Sequence, residues 1–497
     1  MSSISKLKEM RDFAGPSQTP GLADKILESF LPKFPQLRQA IDDAHTWWSC
    51  LKNEYPSWFK MSEKDLIASL QDGFVNFYQE VAVNPYVAFM AKGPWIITTH
   101  GAVIHDSGGY GMLGLGHGPE KVIRAMCQDV VMANVMTANF SQKRFLDKMF
   151  AEVGHNRPPH LRKPFAKFLC LNSGSEAMTV ACRISDIQAK IMTDPGGRYA
   201  GRKIRFLSQK GSFHGRTERP AKMSHSSHKS YQVLASFRED AQLDVIDPGN
   251  IDQLRAAFAK AEKEGVYYEA MFIEPVMGEG NPGVALTREF YDEARRLTKE
   301  HGAMLVLDAI QAGLRTTGNL SLCDYPGFET CEAPDMETYS KAINAGQYPL
   351  SVLALTESAA SLYKKGVYGN TMTTNPRALE VACAVLDSLT PELRENIVSK
   401  GKEFLEKFNA LANEFPGVIT KVQGTGLLFS VELAEKGYTV LGKKCVELDM
   451  RLNGIGVIHG GKNALRFTPH FAITSDEVDL VVDGVRKSLS KGPIYQD

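Results

Sequence analysis

Met304-Leu-Val-Leu-Asp-Ala-Ile-Gln311 is the most informative segment of the 497-residue chain for predicting the fold. The apolar run predicts a short buried strand, and Asp308 stands where that strand ends. Helix-like segments such as Arg288 to Lys299 separate it from further runs of the same kind. These runs are Phe168 to Leu171, Ile204 to Leu207, Met271 to Ile273 and Val352 to Leu355. The alternation predicts an α/β fold whose large domain holds a mostly parallel sheet, covered on both faces.

The residues on either side of this alternation predict an extension and a second, smaller domain. Residues 1–84 are expected to form a helical N-terminal extension, because apolar residues recur there at three- and four-residue spacing. Its helices are expected over Leu22 to Phe30, Leu37 to Trp48 and Leu66 to Tyr78. The remaining boundaries are 85–118 for the N-terminal part of the small domain, 119–374 for the large domain, and 375–497 for the C-terminal α+β part.

Composition and charge favour a small-molecule substrate. The 57 Lys and Arg residues balance 57 Asp and Glu residues, which leaves no electrostatic footprint for nucleic acid or acidic membranes. The eight cysteines form no C-x-x-C pair and no histidines stand at zinc-ligand spacing, so no metal is expected. The N-terminal residues mix both charge signs, and no apolar run approaches the roughly 18 residues of a membrane helix. These features favour a cytoplasmic enzyme.

A Gly-rich segment raises one alternative function. Within Gly108-Gly-Tyr-Gly-Met-Leu-Gly-Leu-Gly-His-Gly-Pro119, the pattern Gly109-x-Gly111-x-x-Gly114 matches a dinucleotide-binding loop and would indicate a nucleotide-dependent oxidoreductase. Such a loop needs its helix to begin within the motif, so that helix amides face the pyrophosphate. Here the glycines continue until Pro119, where a helix is expected to open, so a turn is favoured.

A second segment has the character of a phosphate cup. Asn172-Ser-Gly-Ser-Glu-Ala177 connects the strand ending at Leu171 to a helical run over Met178 to Lys190. Free amides and hydroxyls at a helix N-terminus bind anions, which makes Ser173, Gly174 and Ser175 candidates for a phosphate site. A plain helix cap by one of the serines is the alternative.

Three further clusters of polar residues follow predicted strands. Glu274 and Glu279 follow one strand, Asp308 and Gln311 another, and Lys341 a third. Taken singly, these residues are turn carboxylates and a surface lysine. Taken together with an anion cup, a lysine amine and a buried carboxylate are what a pyridoxal phosphate site requires.

The order of these motifs resembles that of the class III aminotransferases. The motifs are Asn172-Ser-Gly-Ser-Glu-Ala177, Phe213-His-Gly-Arg-Thr217, Glu274-Pro-Val-Met-Gly-Glu279, Asp308-x-x-Gln311, Ser340-Lys341 and Thr371 to Pro376. The resemblance covers Tyr86 to Glu477 and includes ornithine, 4-aminobutyrate, acetylornithine and lysine 6-aminotransferases. It implies fold type I with a seven-stranded type of sheet and pyridoxal 5'-phosphate as the cofactor.

The resemblance also implies roles for the cofactor-binding residues. Lys341 would hold the cofactor as a Schiff base and serve as general base, and Asp308 would pair with the pyridine nitrogen. Phe213 would stack on the pyridine ring, with a simple core residue as the alternative. Gln311 would contact the phenolic oxygen. Thr371 would reach the phosphate of the neighbouring subunit in a homodimer, unless it is only a turn hydroxyl.

Substrate-binding residues follow from the same resemblance. Arg216 and Arg466 resemble arginines that hold substrate carboxylates, although either could be a surface charge, and Glu279 would gate Arg466. Tyr86 and Tyr110 fall where relatives place substrate-contacting aromatic residues. The expected reaction is a ping-pong transfer of the terminal amino group of an ω-amino acid, such as lysine, ornithine or 4-aminobutyrate, to a keto acid such as 2-oxoglutarate.

The sequence departs from the family pattern at two places. Ala309 replaces the usual Glu after Asp308, and Thr373-Thr374 replaces a pair of glycines. Substrate preference is therefore open, and so is the outcome of the reaction, because aminomutases, racemases and a decarboxylase share this scaffold. A non-catalytic binding protein is a further alternative.

Overall fold

The computed structural model describes residues 1–238 and 242–495. Its α-helices are α1 (Ser3–Phe13), α2 (Asp24–Phe30), α3 (Pro35–Glu54), α4 (Pro56–Phe59), α5 (Glu63–Gln71), α6 (Glu120–Met126), α7 (Phe140–Glu152), α8 (Gly174–Thr193), α9 (Glu218–Met223), α10 (Ile251–Glu264), α11 (Arg288–Glu300), α12 (Glu357–Leu362), α13 (Pro376–Leu386), α14 (Pro391–Glu414), α15 (Val446–Leu452) and α16 (Ser475–Leu489). Its strands are β1 (Ala88–Lys92), β2 (Trp95–Thr98), β3 (Val103–Asp106), β4 (Lys167–Leu171), β5 (Lys203–Gln209), β6 (Leu243–Ile246), β7 (Val266–Ile273), β8 (Met304–Asp308), β9 (Met336–Tyr339), β10 (Ser351–Leu355), β11 (Ile419–Thr425), β12 (Leu428–Leu433), β13 (Ile455–Gly456), β14 (Ile458–Gly460) and β15 (Ala464–Phe467).

The chain divides into two compact units. The sheet unit comprises Lys121–Val398 and Gly424–Leu428. The N-terminal unit comprises Met1–Glu120, Ser399–Gln423 and Phe429–Asp497. Helix α13 belongs to the sheet unit, so this division lies beyond the domain boundary predicted at residue 375, which stays a prediction.

A seven-stranded sheet organises the sheet unit, with the strand order β4-β10-β9-β8-β7-β5-β6. Strand β10 is antiparallel to both β4 and β9, whereas the pairs from β9 to β6 are parallel. The predicted α/β domain with a mostly parallel sheet is therefore confirmed. Because β4 runs in the same direction as β5, β7, β8 and β9, the carboxyl ends of these strands share one edge of the sheet.

Strand β8 shows why its sequence is apolar at nearly every position. Leu305 and Leu307 lie in one buried cluster together with side chains of α10 and α11. Met304 and Val306 lie in another buried cluster, together with side chains of α8. Successive side chains of a strand point to opposite faces, so a strand covered by helices on both sides needs apolar residues in succession.

The N-terminal unit contains a sheet of order β1-β2-β3-β13 and most of a second sheet of order β11-β12-β15-β14. Helix α3 packs against β1 and β2 and buries Leu37, Ile41 and Trp48, which recur at helical spacing. In the part of the chain that the structure describes, no helix combines the length and the apolar character needed to cross a membrane.

The helix predicted over Leu66 to Tyr78 is wrong in its second half. Helix α5 ends at Gln71, and Gly73 follows almost at once. Phe74, Val75 and Phe77 are 78%, 98% and 73% exposed. Their burial therefore cannot stabilise a helix, although their spacing is helical. Glycine costs roughly 1 kcal/mol in a helix interior, which burial does not offset here.

Candidate active site

The N-terminus of helix α8 directly follows strand β4 at the shared edge of the sheet. Ser173 is the N-cap, and its Oγ accepts a hydrogen bond of 3.2 Å from the amide of Glu176. Gly174 lies so close to Ile310 that a Cβ there would approach Ile310 Cδ1 to 2.7 Å. The predicted cap is thus present. The remaining amides of this helix N-terminus are the groups that the predicted phosphate cup would use.

The loop after strand β5 packs against the first turn of α8. Ser175 Oγ accepts a 3.2 Å hydrogen bond from the amide of Arg216. Gly215 has a φ of +113°, and a Cβ at this position would lie 2.6 Å from Ser175 Oγ. Only glycine fits there, because both its backbone conformation and the available space exclude a side chain.

Asp308 stands at the carboxyl end of β8 and is 5% exposed. Its Oδ2 lies 3.0 Å from His214 Nδ1, and its Oδ1 accepts hydrogen bonds from the Ile310 amide at 3.1 Å and Thr338 Oγ1 at 3.4 Å. A buried carboxylate needs such partners, because burial without them is costly. His214 is fully buried, and its Nε2 lies 3.2 Å from Ser208 Oγ.

His214 was not assigned a role from the sequence. Its only signal was its place in Phe213-His-Gly-Arg-Thr217, one residue from the predicted ring-stacking residue. The structure makes it the hydrogen-bond partner of Asp308. The 3.2 Å contact with Ser208 Oγ shows that both ring nitrogens have partners.

Glu274 is a second buried carboxyl group at this edge, just after strand β7. It accepts hydrogen bonds from the amides of Phe213 at 3.1 Å and Gly278 at 2.8 Å. Burial, followed by the negative charge of Asp308, raises the pKa of Glu274 to about 8. Glu274 therefore fixes the Phe213 loop to the segment that carries Glu279.

Gln311 lies one turn beyond Asp308 and is 8% exposed. Its side chain packs against Gly278, where a Cβ would come within 2.6 Å of Gln311 Cδ. Its Oε1 is buried and has no hydrogen-bond partner among residues 1–238 and 242–495. A buried polar atom without a hydrogen-bond partner is costly. We therefore expect a bound group to form a hydrogen bond with Gln311 Oε1.

Lys341 follows strand β9 in a left-handed backbone conformation with a φ of +50°. That region costs a non-glycine residue on the order of 1–2 kcal/mol, so neighbouring contacts must hold it. Ser340 Oγ and Asn344 Nδ2 both donate to the carbonyl oxygen of Leu350, at 2.9 and 2.8 Å. Strain of this kind is concentrated at functional sites.

The other predicted residues of the sheet unit have less buried positions. Phe213 is half-buried, and the Arg216 guanidinium carbon lies 5.4 Å from the centroid of its ring. Arg216 itself is exposed, and Glu279 is half-buried. The structure thus brings Phe213 and Arg216 together beside the Ser175 turn.

Thr371 is exposed on the segment between α12 and α13, and its carbonyl oxygen accepts a 3.2 Å hydrogen bond from Asn134 Nδ2. Glu176 of α8 ties down this segment, because its Oε1 accepts from Tyr368 and from Asn370 Nδ2. Thr373 and Thr374, which replace the usual glycines, line a cavity of about 420 Å³.

Tyr86, Tyr110 and Arg466 belong to the N-terminal unit. Arg466 is buried on strand β15, and Tyr110 lies in the Gly-rich loop with a φ of +50°. The loop continues to helix α6, which begins at Glu120, so no helix starts within the glycine pattern, as the turn interpretation expects. Arg466 and Arg451 both oppose the upward shift that burial gives the pKa of Tyr110.

The residues of the sheet unit fit pyridoxal phosphate. Lys341 offers an amine, Asp308 a buried carboxylate, and α8 an anion cup, each at the carboxyl end of a strand. The buried Oε1 of Gln311 is an acceptor that receives no hydrogen bond from the described residues. Ligands of open α/β sheets bind at this end of the strands.

Residues 78–489 match the family model described as aminotransferase class-III. The LysW-aminoadipate semialdehyde transaminase of Deinococcus radiodurans is 30% identical over 387 residues, which cover 77% of this chain and 80% of that protein. Among solved structures, the ornithine aminotransferase of Toxoplasma gondii has a TM-score of 0.72 at 22% identity and covers 89% of this chain and 99% of its own. The acetylornithine aminotransferase of Elizabethkingia anophelis has a TM-score of 0.68 at 21% identity, with 87% and 100% covered. These two structures confirm the predicted fold.

Proposed function

The chain belongs to the class III aminotransferases, and from this premise we propose that it transfers the terminal amino group of an ω-amino acid to a keto acid. Pyridoxal phosphate is the cofactor of this class. One observation carries the proposal: an amine, a buried carboxylate and a helix N-terminus lie at the carboxyl ends of β9, β8 and β4. The oxidoreductase alternative is set aside, because the family is that of a transferase.

Lys341 has two tasks in this proposal. Its Nζ would hold the cofactor covalently, and once released it would move a proton at the substrate carbon. Bound pyridoxal phosphate supplies an electron sink for that proton transfer. The backbone of Lys341 is left-handed, and its neighbours Ser340 and Asn344 both donate to the Leu350 carbonyl oxygen. These contacts fix the position from which the Lys341 side chain extends.

Asp308 would keep a proton on the pyridine nitrogen, and His214 would orient Asp308. The 3.0 Å contact with His214 and the 3.1 Å bond from the Ile310 amide fix both carboxylate oxygens. Phe213 would cover the ring, Gln311 would contact the phenolic oxygen, and Ser173, Gly174 and Ser175 would hold the phosphate. A carboxylate that is held in place needs no reorganisation during the reaction.

The donor and acceptor follow from the arginines. We assign Arg216 and Arg466 to substrate carboxylates, with Glu279 neutralising Arg466 when the substrate has no carboxylate at that end. Tyr86 and Tyr110 would contact the substrate chain. The names of ornithine and acetylornithine aminotransferases support a donor with a terminal amine. We propose 2-oxoglutarate as the acceptor, because a dicarboxylate would use both arginines.

The visible spectrum of the holoenzyme tests this proposal. Lysine, ornithine and 4-aminobutyrate are added in turn, without any keto acid. We expect one of them to remove the absorbance of the lysine-bound cofactor, and 2-oxoglutarate to restore it. If none of these amines changes the spectrum, the proposed donor class is wrong. If the product is an isomerised or decarboxylated amino acid, the proposed transfer reaction is wrong.

We also propose a homodimer that shares its active sites. Exposed apolar side chains are concentrated on residues 131–140, a stretch that contacts the Thr371 segment through Asn134 and Met132. Patches of this kind mark interfaces. The exposed residues are Val131, Met132, Val135, Met136 and Phe140, with Met372 of the Thr371 segment, at 52%, 70%, 67%, 88%, 87% and 48% exposure. Thr371 would reach the cofactor phosphate bound by the partner subunit.

Sedimentation velocity tests the homodimer. Met136→Glu is expected to give monomers with little activity, because it places a charge in the patch. Val75→Glu is the matched control, since Val75 is 98% exposed and lies in the other compact unit. A monomeric, fully active wild-type protein would refute the shared site.

All eight cysteines are free thiols, which supports our expectation of a cytoplasmic location.

A further inference from the structure

Two histidines and a glutamate meet in the interior of the N-terminal unit. His105 stands on strand β3, His470 on the loop after β15, and Glu477 in the first turn of α16. Their exposed fractions are 0%, 8% and 1%. All three belong to the same compact unit, so the cluster is internal to it. None of them has a role in the proposed reaction.

Both histidines approach the same oxygen of Glu477. Its Oε1 lies 3.2 Å from His105 Nε2 and 3.0 Å from His470 Nε2. One ligand atom of each residue lies within 4.8 Å of the other two. Two ligands of a tetrahedral zinc ion, each roughly 2.0–2.1 Å from the metal, are themselves roughly 3.3 Å apart. The spacing in the cluster is therefore close to that of metal ligands.

Further contacts orient two of the three side chains. His105 Nδ1 lies 3.0 Å from Ser107 Oγ. When this nitrogen donates to the hydroxyl oxygen, Nε2 keeps the lone pair that a metal ion needs. Glu477 Oε2 accepts hydrogen bonds from the amide and the hydroxyl of Thr474, at 2.8 and 2.9 Å. Contacts of this kind hold metal ligands in position, and they leave Glu477 Oε1 for the histidines.

The charge of the cluster favours a cation. A carboxylate beside two neutral imidazoles is a buried negative charge, which is costly without a compensating charge. Neutral histidines donate hydrogen bonds but bring no positive charge, whereas a divalent cation brings one. Histidine nitrogens and a carboxylate oxygen are ligands that zinc takes in proteins.

We propose that His105, His470 and Glu477 bind a zinc ion. Three protein ligands leave one tetrahedral position for water or another small ligand. The ion would join β3 to helix α16 and so stabilise the N-terminal unit. Because His105 and Glu477 are 372 residues apart in the chain, the local spacing of histidines and cysteines predicts no metal. The proposal does not depend on the proposed function, since no ligand takes part in that reaction.

Zinc binding to the holoenzyme tests the proposal. Titration calorimetry measures affinity and stoichiometry, and Co²⁺ serves as a second probe, because its visible d–d bands report the coordination geometry. The exposed thiols Cys50 and Cys127 are replaced by Ser in every protein tested, so that they bind no metal. We expect a single zinc ion per chain and tetrahedral Co²⁺ bands. Absence of a saturable site would overturn the proposal and leave a hydrogen-bonded cluster.

His470→Gln separates metal binding from hydrogen bonding. Gln offers an N–H donor for Glu477, but its amide nitrogen has no lone pair for zinc. We expect zinc affinity to fall at least about a hundredfold, because a direct ligand is lost. His45→Gln is the matched control, since His45 Nε2 lies 2.8 Å from a carboxylate oxygen of Glu9 in the same unit, outside the cluster. Equal affinity in His470→Gln and His45→Gln would overturn the proposal.

Ser107→Ala and thermal unfolding complete the test. Ser107→Ala keeps all three ligands, removes the hydroxyl beside His105 Nδ1, and should weaken zinc binding about tenfold. It provides the answer if His470→Gln does not fold. Zinc should raise the midpoint of thermal unfolding of His45→Gln and have no such effect on His470→Gln. An equal rise in both variants would place the bound zinc elsewhere and overturn the proposal.

Discussion

The strand-end site of the sheet unit and a cavity of the N-terminal unit differ in the side chains that form them: the first contains charged groups, and the second is lined by uncharged ones. The cavity has a volume of about 270 Å³, and Ile67, Leu70, Tyr86 and Tyr110 are among the residues that line it. At the strand ends, the buried carboxyl groups have individual partners, such as the 3.0 Å contact of Asp308 with His214. In the cavity, no charged side chain lines the wall, and the tyrosines and aliphatic residues meet by shape. A buried charge requires fixed geometry, whereas an apolar wall only requires volume.

This difference predicts how the two regions respond to substitution. Changes at the strand ends should abolish chemistry, because each partner contact is specific in direction and distance. Changes at the cavity wall and its anchoring contacts should alter stability and leave chemistry intact.

Lys341→Ala should have the largest effect. It removes the only amine assigned to hold the cofactor and move the proton, so we expect kcat to fall by about a thousandfold or more. The absorbance of lysine-bound cofactor should disappear as well. Lys365→Ala, at a lysine on the exposed segment after α12, serves as the control. An unchanged spectrum in Lys341→Ala would contradict the assignment.

His214→Phe should lower kcat by about ten- to a hundredfold, because Asp308 loses its buried partner. A positioning role predicts that kcat falls more than KM rises and that the spectrum of the bound cofactor shifts. His214→Gln, which retains a hydrogen-bond donor, should recover part of the loss. Equal kinetics in the Phe and Gln variants would show that His214 acts only through packing and not through its hydrogen bond.

Glu63 anchors the start of helix α5, which forms part of the cavity wall, so Glu63→Ala should act on stability. It leaves the buried amide of Thr19 and the partly buried amide of Gln18 without their acceptor, at a cost of about 2–3 kcal/mol in the free energy of unfolding. Glu63→Gln keeps an acceptor oxygen and should lose less. Urea unfolding measures both variants, and turnover of small donors should change little. A large loss of turnover in a folded Glu63→Ala protein would break the contrast between the two regions.

Glu274 should make stability depend on pH. Its pKa of about 8 in the folded protein exceeds the ordinary 4.5, so the folded state binds the proton more tightly. Stability should therefore fall as pH rises between these values, by up to about 1.4 kcal/mol per pH unit from this group. Urea unfolding at several pH values measures the slope. Glu274→Gln should flatten it, and an unchanged slope would assign the effect to other carboxyl groups.

Thr374→Gly should have the smallest effect. Thr374 has a φ of +57°, which costs a threonine on the order of 1–2 kcal/mol, while glycine adds entropy to the unfolded chain. The two effects nearly cancel, so we expect a gain of about 0.5 kcal/mol. Thermal unfolding compares this variant with Thr373→Gly, which loses the 2.8 Å bond to the Asn370 carbonyl and should not gain stability. A destabilised Thr374→Gly protein would show that the threonine has a favourable contact.

Much of the strand-end site could be predicted from the sequence. The runs that end at Leu171, Asp308 and Lys341 placed an anion cup, a carboxylate and an amine at strand ends, and the parallel sheet then puts such ends at one edge. These features are local, because strand patterns and helix caps depend on neighbouring residues. The same local rules failed at the end of α5, where the apolar pattern continued but no core was available to Phe74 and Val75.

The α/β class, the order of the chemical groups and the family could all be predicted from the amino-acid sequence. The contacts between distant groups required the folded structure: His214 meets Asp308, which is 94 residues away, and Tyr78 meets Tyr110. The physical reason is that a contact between distant residues has no signature in local spacing. Its position depends on how sheets, helices and loops pack, and that is a property of the whole folded chain.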